Sequence, residues 1–284
     1  MRKKLLFFLA GMMLLVAGCG KKEAAPETQT SDQTTSQKTE TTASVDEKND
    51  SAVEEEAATS IKYDQSLYKT APLPIEEVSS PLSPSDFAVY NILGPEQGEN
   101  KEQINLLIFE NNSDQLARFT IREVYPDQDM DSAVVTYRDV APGETVLTSE
   151  HLHFGNVPEK YVFHVEPYSS DMYAAENEYD GAKDQYEEVM RIREEQAGYT
   201  VGGCTTETRD DGRIIIHFNL KDKDGKDVTG GHVTDYVQPA ILCFDEAGNY
   251  VETGAIGFGT IGNDMSTVVP GDVKGFAMVT YSNL

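Results

Sequence analysis

Three histidines raise the first chemical question. His151 and His153 stand two apart, so on a β-strand they share a face, and His164 lies in a later alternating segment that can return alongside. With Glu150 or Glu166 they would supply the three or four converging ligands of a zinc or copper site. Only the first spacing is fixed by the chain; the third ligand depends on strand pairing. Asp222, Asp224 and Asp227 around Gly225 invite calcium. Setting Gly225 at the obligatory glycine of a twelve-residue calcium loop places Leu220 first and Gly231 last. Neither can coordinate, so the stretch reads as an acidic hairpin turn. Gly257-Phe258-Gly259-Thr260-Ile261-Gly262 has the glycine spacing of a dinucleotide-binding turn. That chemistry needs a helix opening at the loop, whereas Asn263, Asp264, Ser266 and Thr267 lead into β-branched Val268 and Val269. Cys204 and Cys243 sit in strand-like stretches, which favours burial over nucleophilic attack. Neither Gly-x-Ser-x-Gly nor His-Glu-x-x-His occurs. The expectation is a non-enzyme with no catalytic, cofactor-binding or metal residue assigned.

The chain has 284 residues and a net charge of −26. Such a surface opposes nucleic acid, which is bound by lysine and arginine displacing phosphate counterions. It also opposes flat adsorption onto anionic lipid. Cations, cationic peptides and basic wall polymers are the partners it can attract; simple solubility is the plainer meaning. Tyr168, Tyr173, Tyr179 and Tyr186 cluster in sequence. They either present an aromatic binding surface or pack a helix against a sheet, and packing is the preferred reading.

These residues must be positioned by elements of two kinds. Ile104, Leu106 and Ile108, then Phe119 and Ile121, then Tyr161, Phe163 and Val165 recur at period two. Turns at Asn111-Asn112-Ser113-Asp114 and Ala141-Pro142-Gly143-Glu144 separate them. The pattern returns at Ile214, Ile216, Phe218 and Leu220, again at Ala240, Leu242 and Phe244, and finally over 275–281. Short alternating strands between Asn, Gly and Pro turns predict β-sandwiches. Between the two sets, Tyr179, Ala182, Tyr186 and Val189 are spaced three and four apart and predict a helix within 171–198. Ser170 or Asp171 would cap it, and Gly198 would close it in a left-handed turn. Residues 61–84 contain Pro72, Pro74, Pro81 and Pro84, so they read as extended chain lying on the first β unit. Residues 20–60 hold almost no large apolar side chain and are expected to be a disordered acidic tether.

The amino terminus sets the location. Arg2, Lys3 and Lys4 precede an apolar run too short to span a bilayer, which exits through Val16-Ala17-Gly18-Cys19. This arrangement resembles the lipobox of bacterial lipoproteins, most simply Gram-positive ones. The resemblance implies a signal peptide over 1–18, cleavage before Cys19 and a diacylglycerol on its thiol. The lipid would then hold the protein at the extracytoplasmic face of the cell membrane. Outside the cytoplasm Cys204 and Cys243 can form a disulfide, or they can be two small buried hydrophobes; both readings stay open.

The expected plan is mainly β. A lipidated linker over 19–60 precedes an N-terminal β-sandwich domain over 61–170, a helical connector over 171–198 and an Ig-like β-sandwich domain over 199–284. The last segment, with Asp222-Lys223-Asp224-Gly225, Pro270-Gly271-Asp272 and Phe276, resembles the FxLyD and related immunoglobulin-like modules of surface lipoproteins. The expected function is a non-catalytic binding or spacer module at the bacterial envelope. Its partners would be the membrane, through the lipid, and an envelope protein, peptide or cell-wall polymer. The alternatives are a substrate- or metal-binding lipoprotein of a transport system, with His151 and His153 as its ligands, or an envelope enzyme.

Overall fold

Strands dominate the structure, a computed structural model that describes residues 61–95, 102–126, 129–147, 151–154, 158–228, 231–232, 237–255, 260–261 and 265–282. Its first half contains β1 (Lys62–Tyr63), β2 (Glu77–Val78), β3 (Phe87–Leu93), β4 (Glu102–Asn111) and β5 (Ala117–Val124). It continues with β6 (Val134–Val140), β7 (Thr145–Leu147), β8 (His151–Phe154) and β9 (Lys160–Pro167). Two helices follow, α1 (Ser170–Glu176) and α2 (Ala182–Ala197). The second half contains β10 (Thr200–Thr208), β11 (Ile214–Lys221), β12 (Gly231–His232) and β13 (Val237–Phe244). It ends with β14 (Tyr250–Ala255), β15 (Thr260–Ile261), β16 (Met265–Val269) and β17 (Gly275–Ser282).

The mainly β, sandwich-like architecture agrees with the sequence pattern. In β5 and β11 buried and half-buried residues alternate strictly, so each covers a core with one face. A four-stranded sheet in the order β2-β9-β5-β6 packs through Phe119, Ile121, Phe163 and Val165 onto Val89, Leu107 and Phe109. A three-stranded sheet, β10-β11-β16, packs through Ile216, Phe218 and Leu220 onto Ile241, Phe276 and Met278. Each fully buried side chain of this size stabilises by roughly 1.5–3 kcal/mol.

The partition into two domains changes. One eight-stranded sheet, in the order β14-β13-β17-β7-β4-β3, runs through both halves, with β1 beside β17 and β8 beside β4. The short β7 joins them: it lies antiparallel to β4 and parallel to β17. The described residues of both halves accordingly form one compact unit. The physical reason lies in the strands that bury both faces. Leu107 and Phe109 serve the first sandwich core, while Leu106 and Ile108 join Leu242, Phe244 and Val279 in a third core between the halves. The sheet folds back on itself around that core. The chain of 61–70 spans the junction instead of lying on the first unit alone. Ile61 enters the second sandwich core and Tyr68 the shared one.

The helix divides in two. Ser169, rather than Ser170 or Asp171, caps α1 by accepting a hydrogen bond from the Met172 N–H. Gly181, at φ 84°, resets the chain before α2, a conformation that costs other L-residues about 1–2 kcal/mol. Gly198 ends α2 at φ −83°, so the expected left-handed cap is absent there.

Candidate functional site

The inner face of α2 is apolar at Ala182, Tyr186, Val189 and Met190, and then carries Arg193. An arginine in that position needs partners, since an unpaired buried charge is strongly unfavourable. Glu144 in the turn before β7 supplies them. Arg193 Nε donates to Glu144 Oε1 at 2.9 Å, and Nη2 to Oε2 at 2.7 Å. Nη2 also donates to the Asp139 carbonyl at 2.6 Å, and Glu144 Oε2 accepts the Ala141 N–H at 2.9 Å. The Pro-Gly turn that reads in the sequence as a connection is therefore the seat of the helix.

A second polar cluster adjoins it. Arg118 on β5 forks the Asp139 carboxylate at 2.6 and 3.0 Å and donates to Glu176 at 2.7 Å. Its guanidinium carbon lies 3.5 Å from the centre of the Tyr168 ring. Tyr168 donates to Glu176 and Tyr186 to Asp139, while Tyr173 stacks on Tyr186 at 4.1 Å. Burial lowers the affinity of Arg118 for its proton, but the hydrogen bonds to Asp139 and Glu176 outweigh it and raise the pKa. Burial, then the Asp139 charge, pushes the Tyr186 hydroxyl up. Both groups hold their protons firmly, which suits fixation of α1 and α2 rather than proton transfer. Tyr168 and Tyr186 thus pack the helices against the sheet, as preferred, while Tyr179 is 49% exposed.

Glu110 lies buried on β4 and accepts the Tyr68 hydroxyl at 2.6 Å and a Lys69 ammonium at 2.8 Å. Lys69 also completes Ser66-Leu67-Tyr68-Lys69, a Ser-x-x-Lys spacing that sequence reading overlooked. The structure engages its two ends separately: the Ser66 hydroxyl donates to Asp64 at 2.6 Å, and Lys69 turns to Glu110.

The strand that carries His151 and His153 and the strand that carries His164 do not pair. β8, which holds His151 and His153, pairs with β4, whereas β9, which holds His164, pairs with β5 and β2 in a different sheet. The His164 ring approaches Glu77 at 4.0 Å. Glu150 lies outside the described residues, and the His151 and His153 side chains are likewise outside the description. Asp222 accepts the N–H groups of Asp224 and Lys226, and Asp227 accepts from Asn219 and Lys221. The Lys221 hydrogen bond, then that of Asn219, holds the Asp227 carboxyl below its usual range. Among the described residues no group of three or more His, Cys, Asp or Glu is placed to hold a metal ion. Of the glycine-rich stretch 257–262, only Thr260 and Ile261 are described, as the strand β15 paired with β12.

Cys204 and Cys243 are free thiols in the structure, not a bridge. Cys243 is buried in the second sandwich core, and Cys204 is half-buried against it. Burial pushes the Cys204 thiol up; burial and then the Glu252 charge push Cys243 up to about 12. Neither carries appreciable thiolate near neutral pH, so neither is an activated nucleophile.

Two of the larger open clefts lie among the described residues. One, of about 600 Å³, lies between the end of α2 and the turn at Asp222–Asp227. The other, of about 570 Å³, lies between the end of β3 and the turn joining β13 to β14. Among the described residues no helix is long and apolar enough to cross a membrane. No family model, no curated protein and no solved structure matches the chain.

Proposed function

We propose that this chain is a lipid-anchored protein of the extracytoplasmic membrane face, whose β body is a non-catalytic binding or spacer module. The observation that carries the reading is the order of residues 1–19: three basic residues, a short apolar run, and Val16-Ala17-Gly18-Cys19. Residues 20–60, polar and acidic in composition, would then tether the β body to the lipid. A tether of roughly 40 residues has a mean span of about 35 Å, which holds the body clear of the headgroups. The net charge of −26 supports the same placement, because an anionic leaflet repels the body while the lipid retains it.

The hydrogen-bonded clusters support a scaffolding body. The charged groups at the α2 seat and around Arg118 are paired with one another, an arrangement that fixes elements in place. A partner would be an envelope protein, a peptide or a wall polymer met at the surface.

The test is membrane partition and mass. Wild-type protein in its native cell is expected in the membrane fraction, with a processed terminus carrying a diacylglycerol on Cys19. Cys19→Ala is expected to appear in the medium or to accumulate as unprocessed precursor. Intact-mass spectrometry that finds an unacylated mature terminus on membrane-bound wild-type protein overturns the proposal.

A further inference from the structure

The eight-stranded sheet ends at β3 on one side and β14 on the other, and both ends enter the same core, Tyr90 and Ile92 from β3 and Tyr250 from β14. A Cβ placed on Gly94, just beyond β3, would lie 3.6 Å from the Tyr250 ring on β14. The 570 Å³ cleft opens here, within the size range of ligand sites.

The hydrogen-bond parity of β3 is fixed by its neighbours. The Gly94 N–H donates to the Ile104 carbonyl, and the Asn112 N–H to the Asp86 carbonyl, so even-numbered residues make the ladder to β4. Odd-numbered residues turn their N–H and C=O groups to the outer edge. One of these is already used. The Val89 carbonyl accepts the Leu73 N–H, so an extended stretch of this same chain lies along the edge at that point. Beyond it, Asn91 and Leu93 continue the edge without a strand partner among the described residues. Leu93 is 48% exposed, and Asn91 Oδ1 is shielded from solvent without a hydrogen bond. Edges are ordinarily protected by charge, proline or cover; Asn91 and Leu93 carry neither charge nor proline, and among the described residues Leu67 and Thr70 line the cleft beside them without a strand pairing to them.

The charge of the cleft selects the occupant. Asp245 and Asp272 line it, and no lysine or arginine does so among the described residues. Hydrogen bonds from Asn249 hold the Asp245 carboxyl below its usual range, so it stays ionised.

We propose that the outer edge of β3 at Asn91 and Leu93 is a docking strand for an extended basic peptide, added beside the position where Leu73 already pairs. The backbone would bond to Asn91 and Leu93, apolar side chains on one face of the added strand would cover Leu93, and basic ones on the other would face Asp245 and Asp272. This names a partner class for the binding module proposed above. Its failure would leave the anchoring test, which reads membrane partition, untouched.

The experiment uses soluble Cys19→Ala protein and two fluorescein-labelled heptapeptides, one alternating Lys and Val, the other Glu and Val. Anisotropy is expected to rise with the Lys–Val peptide and stay flat with the Glu–Val peptide. Leu93→Pro removes one outward N–H and leaves the β3–β4 ladder intact, and it is expected to weaken binding about tenfold. Asp272→Asn is expected to weaken it about threefold. Amide NMR provides the second reading: Asn91 and Leu93 shift on titration with the Lys–Val peptide, which decides the matter even if Leu93→Pro does not fold. Equal binding of both peptides overturns the proposal, as does unchanged affinity in folded Leu93→Pro or unmoved Asn91 and Leu93 amides. A concentration-dependent dimer abolished by Leu93→Pro would assign the edge to a second copy and overturn it too.

Discussion

The Arg193 guanidinium and the Glu144 carboxylate meet as a two-pronged fork, Nε to Oε1 and Nη2 to Oε2, with both side chains at 0% exposure. The pair ties α2 to the turn that leads into β7, and β7 joins the two halves of the large sheet.

Removal of one partner leaves the other charged and buried. Arg193→Met and Glu144→Leu should each destabilise by about 3–5 kcal/mol. The double replacement should cost less than either single change, because no charge is stranded. Urea unfolding of the four proteins closes the cycle; additive single effects would contradict the coupling.

Arg118 tests geometry rather than charge. Lysine retains the charge but cannot fork Asp139, reach Glu176 and stack flat on Tyr168 at once. Arg118→Lys should therefore destabilise by about 1–3 kcal/mol, close to the effect of Arg118→Met. Thermal unfolding with near-ultraviolet tyrosine signals would show whether α1 loosens first.

Alkaline pH should weaken the fold through Cys243. Its thiol is held at about 12 in the folded chain, against an ordinary 9.0. The folded pKa is raised, so the contribution is complete below pH 9 and declines as pH rises from 9 to 12. The slope is about 1.4 kcal/mol per pH unit. Tyr125, pushed up to about 12 by burial and then Glu123, acts in the same direction. Cys243→Ala should flatten the decline, and wild-type Cys243 should resist thiol reagents at pH 8 while the protein stays folded.

Two glycines should respond differently to alanine. At Gly181 nothing lies within 4 Å of a new Cβ, so Gly181→Ala meets only the left-handed backbone and costs about 1 kcal/mol. At Gly271 a Cβ would stand 2.4 Å from the Gly212 carbonyl oxygen, so the backbone itself must move. Chemical denaturation should rank Gly271→Ala as the more damaging.

The halves should not survive separation. A fragment of 199–284 would expose Leu242, Phe244 and Val279, all buried against the first half in the intact chain. It should aggregate or bind a hydrophobic dye, and mixing it with a fragment of 61–198 should suppress that signal. A monomeric, cooperatively folded 199–284 would contradict the shared core.

The strands were legible because alternation is a local property. Phe119 and Ile121, or Ile214 to Leu220, declare their inner face within a few residues. What alternation does not declare is the partner across a long gap. Leu106 and Leu107 are both buried, and that adjacency was the available sign that β4 faces two cores. Glycine at 181 lowers helix propensity, a property readable in the sequence, whereas its positive φ is not. Arg193 was also accessible: an arginine in line with Tyr186, Val189 and Met190 demands an acid, although only the fold could name Glu144. The third histidine is the opposite case: bringing His164 beside His151 and His153 required β9 to pair with β8, whereas β8 pairs with β4 and β9 with β5.

β17 is the last described strand in the chain and has β13 on one side, β1 and β7 on the other. A growing polypeptide therefore cannot complete its central sheet until residues 275–282 have emerged. Until then, strands made much earlier wait with open flanks, and a nonsense codon even a few residues upstream would forfeit the whole assembly rather than trim it. The element that locks the body is thus the last of the described strands to be made.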